Sequence, residues 1–231
     1  MLNKQLIEIY QLLFERFGCQ YWWPGETQFE IITGAILTQN TNWTNVEKAI
    51  TNLKSAQLLT PEKLHRLDIP QLAELIRPAG YYNIKANRLK SFVNWLFENY
   101  EGQLINLENV DTDRLRTELL AIKGVGPETA DSILLYALGR AVFVVDAYTA
   151  RVAVRHGLIE PEADYEQLRD LFQSNLPPSA PEGRDLAEGG DTDLFNEYHA
   201  LLVKVGKEFC RPTARCPGCP LEKLPHSLDI Q

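Results

Sequence analysis

The sequence has no uninterrupted apolar run that approaches the ~18 residues needed to span a membrane. Its first 17 residues form an amphipathic helical pattern, in which charged residues interrupt every apolar stretch. A secretory signal peptide has a continuous apolar core instead. These absences predict a cytoplasmic protein that has no membrane partner.

Strand-forming patterns are also scarce. The β-rich run AVFVV at 141–145 is short and isolated. Residues 177–192 are rich in proline, glycine and acidic residues, and are expected to form a surface loop. Helical periodicity covers most of the remaining chain, with predicted helices over 28–37, about 44–55, 112–122 (N-capped by Asp111) and about 193–209. The sequence therefore predicts an all-α fold.

Basic side chains are in the minority. The chain has 23 lysines and arginines against 31 acidic residues, so its formal net charge is −8. Taken alone, this charge argues against a nucleic-acid partner. The acid is uneven, however, because residues 159–197 hold 11 acidic side chains and only 2 basic ones. Since residues 83–90 and 151–156 are locally basic, the protein can present one cationic face although it is acidic overall.

Cysteine is also rare, but it is clustered. Three of the four cysteines, Cys210, Cys216 and Cys219, lie within ten residues of one another near the C-terminus. Without an export signal, this clustering favours a metal site over disulfide bonds.

The segment LLAIKGVGPETADSILLYAL, residues 119–138, predicts a helix, a tight turn and a second helix. Gly124 and Gly126 flank Val125 in the turn, and Pro127 suits the first position of the second helix. Free backbone amides at such a turn form an anion site that can hold a DNA phosphate without reading the base. The alternative is a helical hairpin with no ligand.

The segment VVDAYTARV places Asp146 directly after the apolar run. Together with KGVGPETA and the apolar helix after it, this segment resembles the helix–hairpin–helix–Gly/Pro–Asp signature of the endonuclease III superfamily of DNA glycosylases. The resemblance implies that residues 123–126 of the hairpin bind the phosphate backbone and that Asp146 is catalytic. Asp146 can also be the N-cap of a helix that starts near Ala147, and the two roles are compatible.

One residue type is missing from this signature. Bifunctional members of the superfamily, which also cut the DNA backbone, carry a lysine where this sequence has Glu128. A carboxylate cannot form a Schiff base with the sugar. The resemblance therefore implies a monofunctional glycosylase with water as the nucleophile, in which Asp146 stabilises the cationic sugar and activates that water. Lys123 belongs to the hairpin and is expected to contact phosphate.

Aromatic residues are concentrated in residues 21–43, which include three of the four tryptophans. Tryptophan suits the wall of a pocket for a flipped base, although a core position is the alternative for each ring. If Trp22 and Trp23 are helical, they face different directions, so at least one ring is expected near a surface.

The stretches WWP, GAILTQNTNWTNVEKAITNLK and IRPAGYYNIKANRL, with the lysine-free hairpin, are most similar to the 3-methyladenine DNA glycosylase members of the superfamily. That similarity implies a base pocket lined by Trp22, Trp23, Pro24 and Trp43. It also places Gln39 in the loop that fills the gap in the duplex, where the alternative is a solvated loop residue. Alkylated purines of this type are cationic, and should bind π-faces more strongly than normal bases, by ~1–2 kcal/mol.

The family pattern C-x6-C-x2-C-x5-C holds a [4Fe–4S] cluster, but this sequence departs from it. The first gap is one residue short, and position 225 is a proline. His226 can be the fourth ligand beside Cys210, Cys216 and Cys219, whereas Cys19 is distant in sequence. Three thiolates and an imidazole also suit zinc, and a site without metal is the third possibility.

The resemblance covers about residues 20–220 and implies two helical domains with a cleft between them, with Asp146 at the mouth of the cleft. Residues 28–137 would form the domain with the hairpin, and residues 1–27 and 138–231 the other. The expected function is removal of a damaged, alkylated purine from duplex DNA in base-excision repair, by a monomer associated with the nucleoid. The alternatives are a glycosylase for damaged or mismatched pyrimidines and a non-catalytic DNA-binding module.

Overall fold

The computed structural model describes residues 2–176 and 190–228, and all regular elements in these residues are helices. The chain divides into two compact units. One contains Met1–Trp23 and Ala141–Gln231, and the other contains Pro24–Arg140. The all-α prediction is confirmed.

The unit Pro24–Arg140 is a helical array that ends in the predicted hairpin. Its helices are α2 (Gln28–Leu37), α3 (Trp43–Ser55), α4 (Pro61–Arg66), α5 (Ile69–Leu75), α6 (Tyr82–Tyr100), α7 (Thr112–Ala121) and α8 (Pro127–Ser132), with 3₁₀ turns at Arg77–Ala79 and Leu104–Leu107. Helix α2 is apolar on almost every side and packs against α3, α6 and α8. It is therefore the buried centre of this unit.

Side-chain caps define most helix starts in this unit. The side chain of each capping residue accepts a hydrogen bond from a backbone N–H in the first helical turn, which satisfies an otherwise unpaired donor. These residues are Thr27, Asn42, Thr60, Asp68 and the predicted Asp111. The predicted bounds of α2 are confirmed, and α3 begins one residue earlier than predicted, because Asn42 provides its cap.

The second helix of the hairpin does not continue as a regular α-helix. After α8, residues Ile133–Ala137 form a π-helix, and the Leu138 N–H donates to the carbonyl of Ile133. Every residue of this segment is buried. The apolar spacing predicted a helix here but not a π-helix. Every side of the segment is buried, so one apolar face could not indicate the wider π-helical turn.

Lys85 is a buried cation that connects two turns of this unit. Its Nζ donates to the carbonyl oxygens of Leu37, at the end of α2 (2.9 Å), and Ala79, in the 3₁₀ turn (2.7 Å). Burial, followed by the charge of Arg88, lowers the pKa of Lys85 to about 8. Both hydrogen bonds survive loss of a proton, because a neutral amine still has two donors.

The other unit contains α1 (Leu2–Phe17), α9 (Ala147–Arg155), α10 (Tyr165–Gln173) and α11 (Gly190–Glu208). Helices α1 and α9 both pack on α11. The ring of Phe143 stacks on that of Phe172, with centroids 4.5 Å apart, and Tyr198 donates its hydroxyl to the carbonyl of Leu6 at 2.8 Å. An aromatic core thus joins residues that are distant in the sequence.

The β-rich run at 141–145 lies in this core without forming a strand. The Phe143 N–H donates to the side chain of Gln173 (3.1 Å), and the Val144 carbonyl is 2.9 Å from Nδ1 of His199. Side chains satisfy these backbone groups, so the buried run needs no partner strand.

Helix α11 begins at Gly190, slightly before the predicted start, and includes the last residues of the predicted loop at 177–192. The rest of that loop, residues 177–189, lies outside the described residues.

Within the described residues, no helix has both the length and the apolarity required to cross a bilayer.

Candidate functional site

The hairpin turn between α7 and α8 is held by one buried side chain and by glycine geometry. Val125 is 6% exposed, and its N–H donates to the carbonyl of Ile122 at 3.0 Å. Gly124 has φ +93°, and a Cβ there would lie 2.4 Å from Cγ of Arg88. Glycine is therefore required at 124 for both conformation and space. Lys123 and Gly126 remain exposed on the turn.

An ion pair joins the two helices of the hairpin. Arg116 on α7 donates from Nε to Oδ1 of Asp131 on α8 (2.6 Å) and from Nη2 to Oδ2 (3.1 Å). Asp131 is completely buried. A bidentate pair of this kind fixes both side chains in orientation as well as in distance, so it sets how α7 and α8 meet.

Gln39 connects the loop after α2 to the same turn. Its Nε2 donates to the carbonyl of Gly124 (3.1 Å) and to Oγ1 of Thr129 (2.8 Å), and its Oε1 accepts from Arg88. It is therefore not a solvated loop residue. The gap-filling role predicted for Gln39 stays a prediction, and the exposed tip of this loop is Asn40, at φ +54°.

Asp146 is the N-cap of α9, as its position predicted. Its Oδ1 accepts from the Thr149 N–H at 2.8 Å, and its own backbone is extended. The four residues before it, 142–145, are buried, whereas Asp146 is half-exposed. Its second oxygen makes no hydrogen bond to any residue in the described ranges 2–176 and 190–228. The carboxylate is thus fixed in direction and keeps one oxygen for a ligand.

Trp22 and Trp23 lie in the segment between α1 and α2, not in a helix, so the helical reasoning applied to them was wrong. Their rings make an edge-to-face contact with centroids 5.7 Å apart. Both are half-buried, as is Trp43 at the start of α3, and Pro24 is exposed. No tryptophan in the described residues is fully buried, and the pocket role of these rings stays a prediction.

The segment that carries Trp22 is attached to α11 by Glu197. The Gln20 N–H donates to Oε1 of Glu197 at 2.8 Å, and the Cys19 thiol bonds to the same carboxylate. Burial raises the pKa of Glu197, and burial together with this carboxylate raises the pKa of Cys19. Cys19 is thus occupied as a neutral donor at this position.

A group of cations and rings lies around Trp22 in the same unit. Nζ of Lys207 is 5.8 Å from the centre of the Trp22 ring and 5.9 Å from that of Tyr148. Cζ of Arg151 lies 5.2 Å from the Tyr148 ring. Tyr148 is in the first turn of α9, two residues after Asp146. We call Trp22, Tyr148, Arg151 and Lys207 the ring–cation group.

The three C-terminal cysteines line one cavity, and both His226 and His156 line it too. Nδ1 of His226 is 2.8 Å from the Leu224 carbonyl, and Nδ1 of His156 is 3.0 Å from the Pro225 carbonyl. Because a carbonyl oxygen only accepts, each contact places the proton of its histidine on Nδ1 and leaves Nε2 able to bind a metal. In the described residues, however, no three ligand-type side chains are close enough to hold a single metal ion.

Arg155 supplies a buried positive charge beside these cysteines. It is 2% exposed, and its Nη1 donates to Sγ of Cys210 and to the carbonyl of Arg211, each at 3.0 Å. No carboxylate pairs with it among the described residues. A buried cation is costly without compensating contacts, and Arg155 finds them in the sulfur of Cys210 and in backbone carbonyl oxygens.

Comparisons with known proteins decide the family. A model of the HhH-GPD superfamily of base excision DNA repair proteins matches residues 33–178, more than half of the chain. The chain belongs to the HhH-GPD superfamily. It is a DNA glycosylase of base-excision repair and a DNA-binding protein, so the resemblance seen in the sequence is confirmed.

The similarity to several known proteins extends over nearly the whole chain. A protein of Methanocaldococcus jannaschii, named provisionally as a DNA repair glycosylase, is 48% identical over 96% of each chain. The 3-methyladenine DNA glycosylase of Helicobacter pylori, solved with 1,N6-ethenoadenine, is 31% identical over 88% of this chain and 97% of its own, with a TM-score of 0.74. A complex of endonuclease III with DNA shares the fold at 21% identity, with a TM-score of 0.77 over 96% of this chain and 94% of its own.

The sequence did not identify several residues that lie beside the tryptophan rings or the cysteines. Tyr148 lies inside the quoted motif and His156 ends a basic segment, so each had a local signal. Lys207 and Arg155 had none, because only the packing of α9 on α11 and of the C-terminal loop places them beside rings and cysteines.

The ion pair of the hairpin yields a prediction about stability. Asp131→Ala removes the fully buried carboxylate that Arg116 binds, and should lower the free energy of unfolding by about 3 kcal/mol. Arg114→Ala is the matched control, because it removes the exposed pair with Glu118 on the same helix (2.9 Å) and should cost less than about 0.5 kcal/mol. Urea denaturation followed by circular dichroism measures both. Equal losses in the two variants would contradict a special role of the buried pair.

Proposed function

We propose that this glycosylase is monofunctional, and that as a monomer it removes alkylated purines from duplex DNA. The observation that carries the proposal is Asp146, whose carboxylate is fixed by the α9 cap directly after a buried run. Glu128 at the position of the lyase lysine supports the monofunctional part, and the half-buried tryptophans support the purine site.

Asp146 would act through charge. Breaking the bond between sugar and base creates positive charge on the sugar, and a fixed carboxylate stabilises it without reorganisation during the reaction. The oxygen that does not cap α9 is free to accept a proton from the attacking water. A binding module without catalysis would need Asp146 only as the cap of α9, and asparagine could serve there equally well.

Water rather than an amine would be the nucleophile. Glu128 is exposed in the first turn of α8 and cannot form a Schiff base. Lys85 has a depressed pKa, but it is buried and bound to two carbonyl oxygens. Lys123 is exposed on the hairpin turn, where a phosphate contact would engage it.

The substrate class rests on the rings and on one relative. Trp22, Trp23 and Trp43 are half-buried, so each can offer a flat face to an extruded base. The similar glycosylase of Helicobacter pylori bears the name of 3-methyladenine and was solved with an alkylated base. The second candidate is a pyrimidine lesion, which the 29% identity to endonuclease III of Sulfolobus acidocaldarius favours.

The C-terminal cavity would hold a [4Fe–4S] cluster. Cys210, Cys216 and Cys219 would be three ligands, and the free Nε2 of His226 or of His156 would be the fourth. A single zinc ion needs all ligand atoms within ~2.3 Å, and the described residues offer no group so close. A cluster spreads its ligands further apart, and its negative charge would balance Arg155. Such a cluster would supply structural order to this loop.

The role of Asp146 predicts a loss of excision without a loss of folding. Asparagine caps helices as well as aspartate does, so Asp146→Asn should keep α9 but slow base release by about 100-fold or more. Release of bases from methylated duplex DNA measures activity, and fluorescence anisotropy measures DNA binding, which should persist. Asp164→Asn is the control, because Asp164 caps α10 in the same unit. Unchanged release from the Asp146 variant would refute the catalytic role.

The monofunctional assignment predicts no covalent intermediate. Borohydride reduction during the reaction should trap no protein–DNA adduct, because no amine attacks the sugar. A bifunctional endonuclease III run in parallel should give the adduct and serves as the positive control. An adduct at the yield of that control would overturn the assignment.

The cluster proposal predicts colour and iron. The purified protein should absorb at about 400 nm and contain iron, and Cys216→Ala should lose both. Of His156→Ala and His226→Ala, the variant that lacks the fourth ligand should lose more of the band. Cys19→Ala should keep it, because that thiol binds Glu197 instead. Bound zinc without iron, or a protein without metal, would contradict the cluster.

A further inference from the structure

We propose that Lys207 sets the charge preference of the base site, so that the enzyme releases uncharged purine lesions in preference to cationic ones. The inference rests on the proposed function, and it narrows the class of alkylated purines. It arises from the ring–cation group, whose lysine stands beside the same aromatic faces that would attract a cationic base.

The position of Lys207 follows from close packing between two helices. Gly206, the residue before it on α11, lies against Tyr148 of α9, where an added Cβ would be 2.6 Å from Cδ1 of that ring. Only glycine permits this approach, and it brings the next residue, Lys207, close to both rings. The ammonium is then 5.8 Å from the centre of Trp22 and 5.9 Å from that of Tyr148.

The surroundings of Lys207 are cationic. Arg151 lies over the Tyr148 ring, and Arg211 donates from Nε to the Lys207 carbonyl at 2.7 Å. No acidic side chain lies within ion-pair distance of Lys207 among the residues that the structure describes. Lys204, one turn earlier on α11, is instead neutralised by Glu208 at 2.9 Å. Lys207 thus carries an uncompensated charge beside Trp22.

This charge opposes cationic bases in two ways. A purine methylated at N3 or N7 is itself a cation, so it would compete with Lys207 for the ring face and would be repelled by it. Alkylation at such a nitrogen also removes the lone pair that could accept a hydrogen bond from the ammonium.

An uncharged lesion meets the opposite conditions. It stacks on the rings without repulsion, and its ring nitrogens can accept a proton or a hydrogen bond from Lys207. That donation stabilises the negative charge which the departing base acquires when the bond to the sugar breaks. A cationic base needs no such help, because its own charge weakens the bond. The ammonium therefore aids the substrates that need it and repels those that do not.

The test compares Lys207→Met with Lys204→Met on two substrates. One is a duplex with a single 1,N6-ethenoadenine, which is neutral, and the other is methylated duplex DNA that carries cationic 3-methyladenine and 7-methylguanine. Lys207→Met should raise the ratio of cationic to neutral release by about tenfold, from the combined loss of repulsion and of hydrogen bonding. Lys204→Met should leave the ratio unchanged. An unchanged ratio in the Lys207 variant, at wild-type melting temperature, would overturn the inference.

A binding measurement separates this inference from the proposed function. If the wild-type protein releases neither type of purine, the proposed substrate class fails, but the charge preference can still be measured. Quenching of tryptophan fluorescence by a free methylated purine cation and by a neutral purine gives two affinities. Lys207→Met should tighten binding of the cation relative to the neutral base by about tenfold. Equal relative affinities in the variant and the wild type would overturn the inference independently of catalysis.

Discussion

The hydrogen bond from the Thr149 N–H to the Asp146 carboxylate is the constraint on which the site depends. It starts α9, and it does so directly after an extended run that is anchored in the aromatic core through Phe143 and Val144. The carboxylate is therefore placed from both sides, by a buried segment before it and by a helix after it. One oxygen serves the fold and the other remains for chemistry, so a single residue accounts for both the cap and the proposed catalytic role.

The hairpin turn is likewise held by a small number of side chains. Its turn needs Gly124 because Arg88 fills the space where a side chain would be, and Arg88 in turn binds Gln39. The loop after α2, the long helix α6 and the hairpin are thus coupled through the side chains of Gln39 and Arg88. Buried Lys85 adds a second connection between the end of α2 and the turn before α6. These hydrogen bonds connect loops that are separate in the sequence.

Local chemistry made much of this structure predictable. Capping residues such as Asp111 and Asp146 determine helix starts through bonds within one turn, and apolar spacing located α2. Features that depend on distant residues could not be predicted. The π-helix after α8 depends on full burial, the position of Lys207 depends on Gly206 and Tyr148, and Arg155 meets Cys210 only in the folded chain. Trp22 and Trp23 were misread because adjacent rings carry no periodicity from which a helix or loop could be inferred.

Glu128 affects the hairpin beyond the loss of a lysine nucleophile. It lies in the first turn of α8, where a carboxylate interacts favourably with the positive end of the helix. That same positive end is the part of the turn that would attract a phosphate, so Glu128 weakens the site electrostatically. Lys123, which is exposed in the same turn, is then the residue that would restore the attraction. If the hairpin is the DNA-binding element, as we propose, it would therefore bind phosphate mainly through backbone amides and this one lysine.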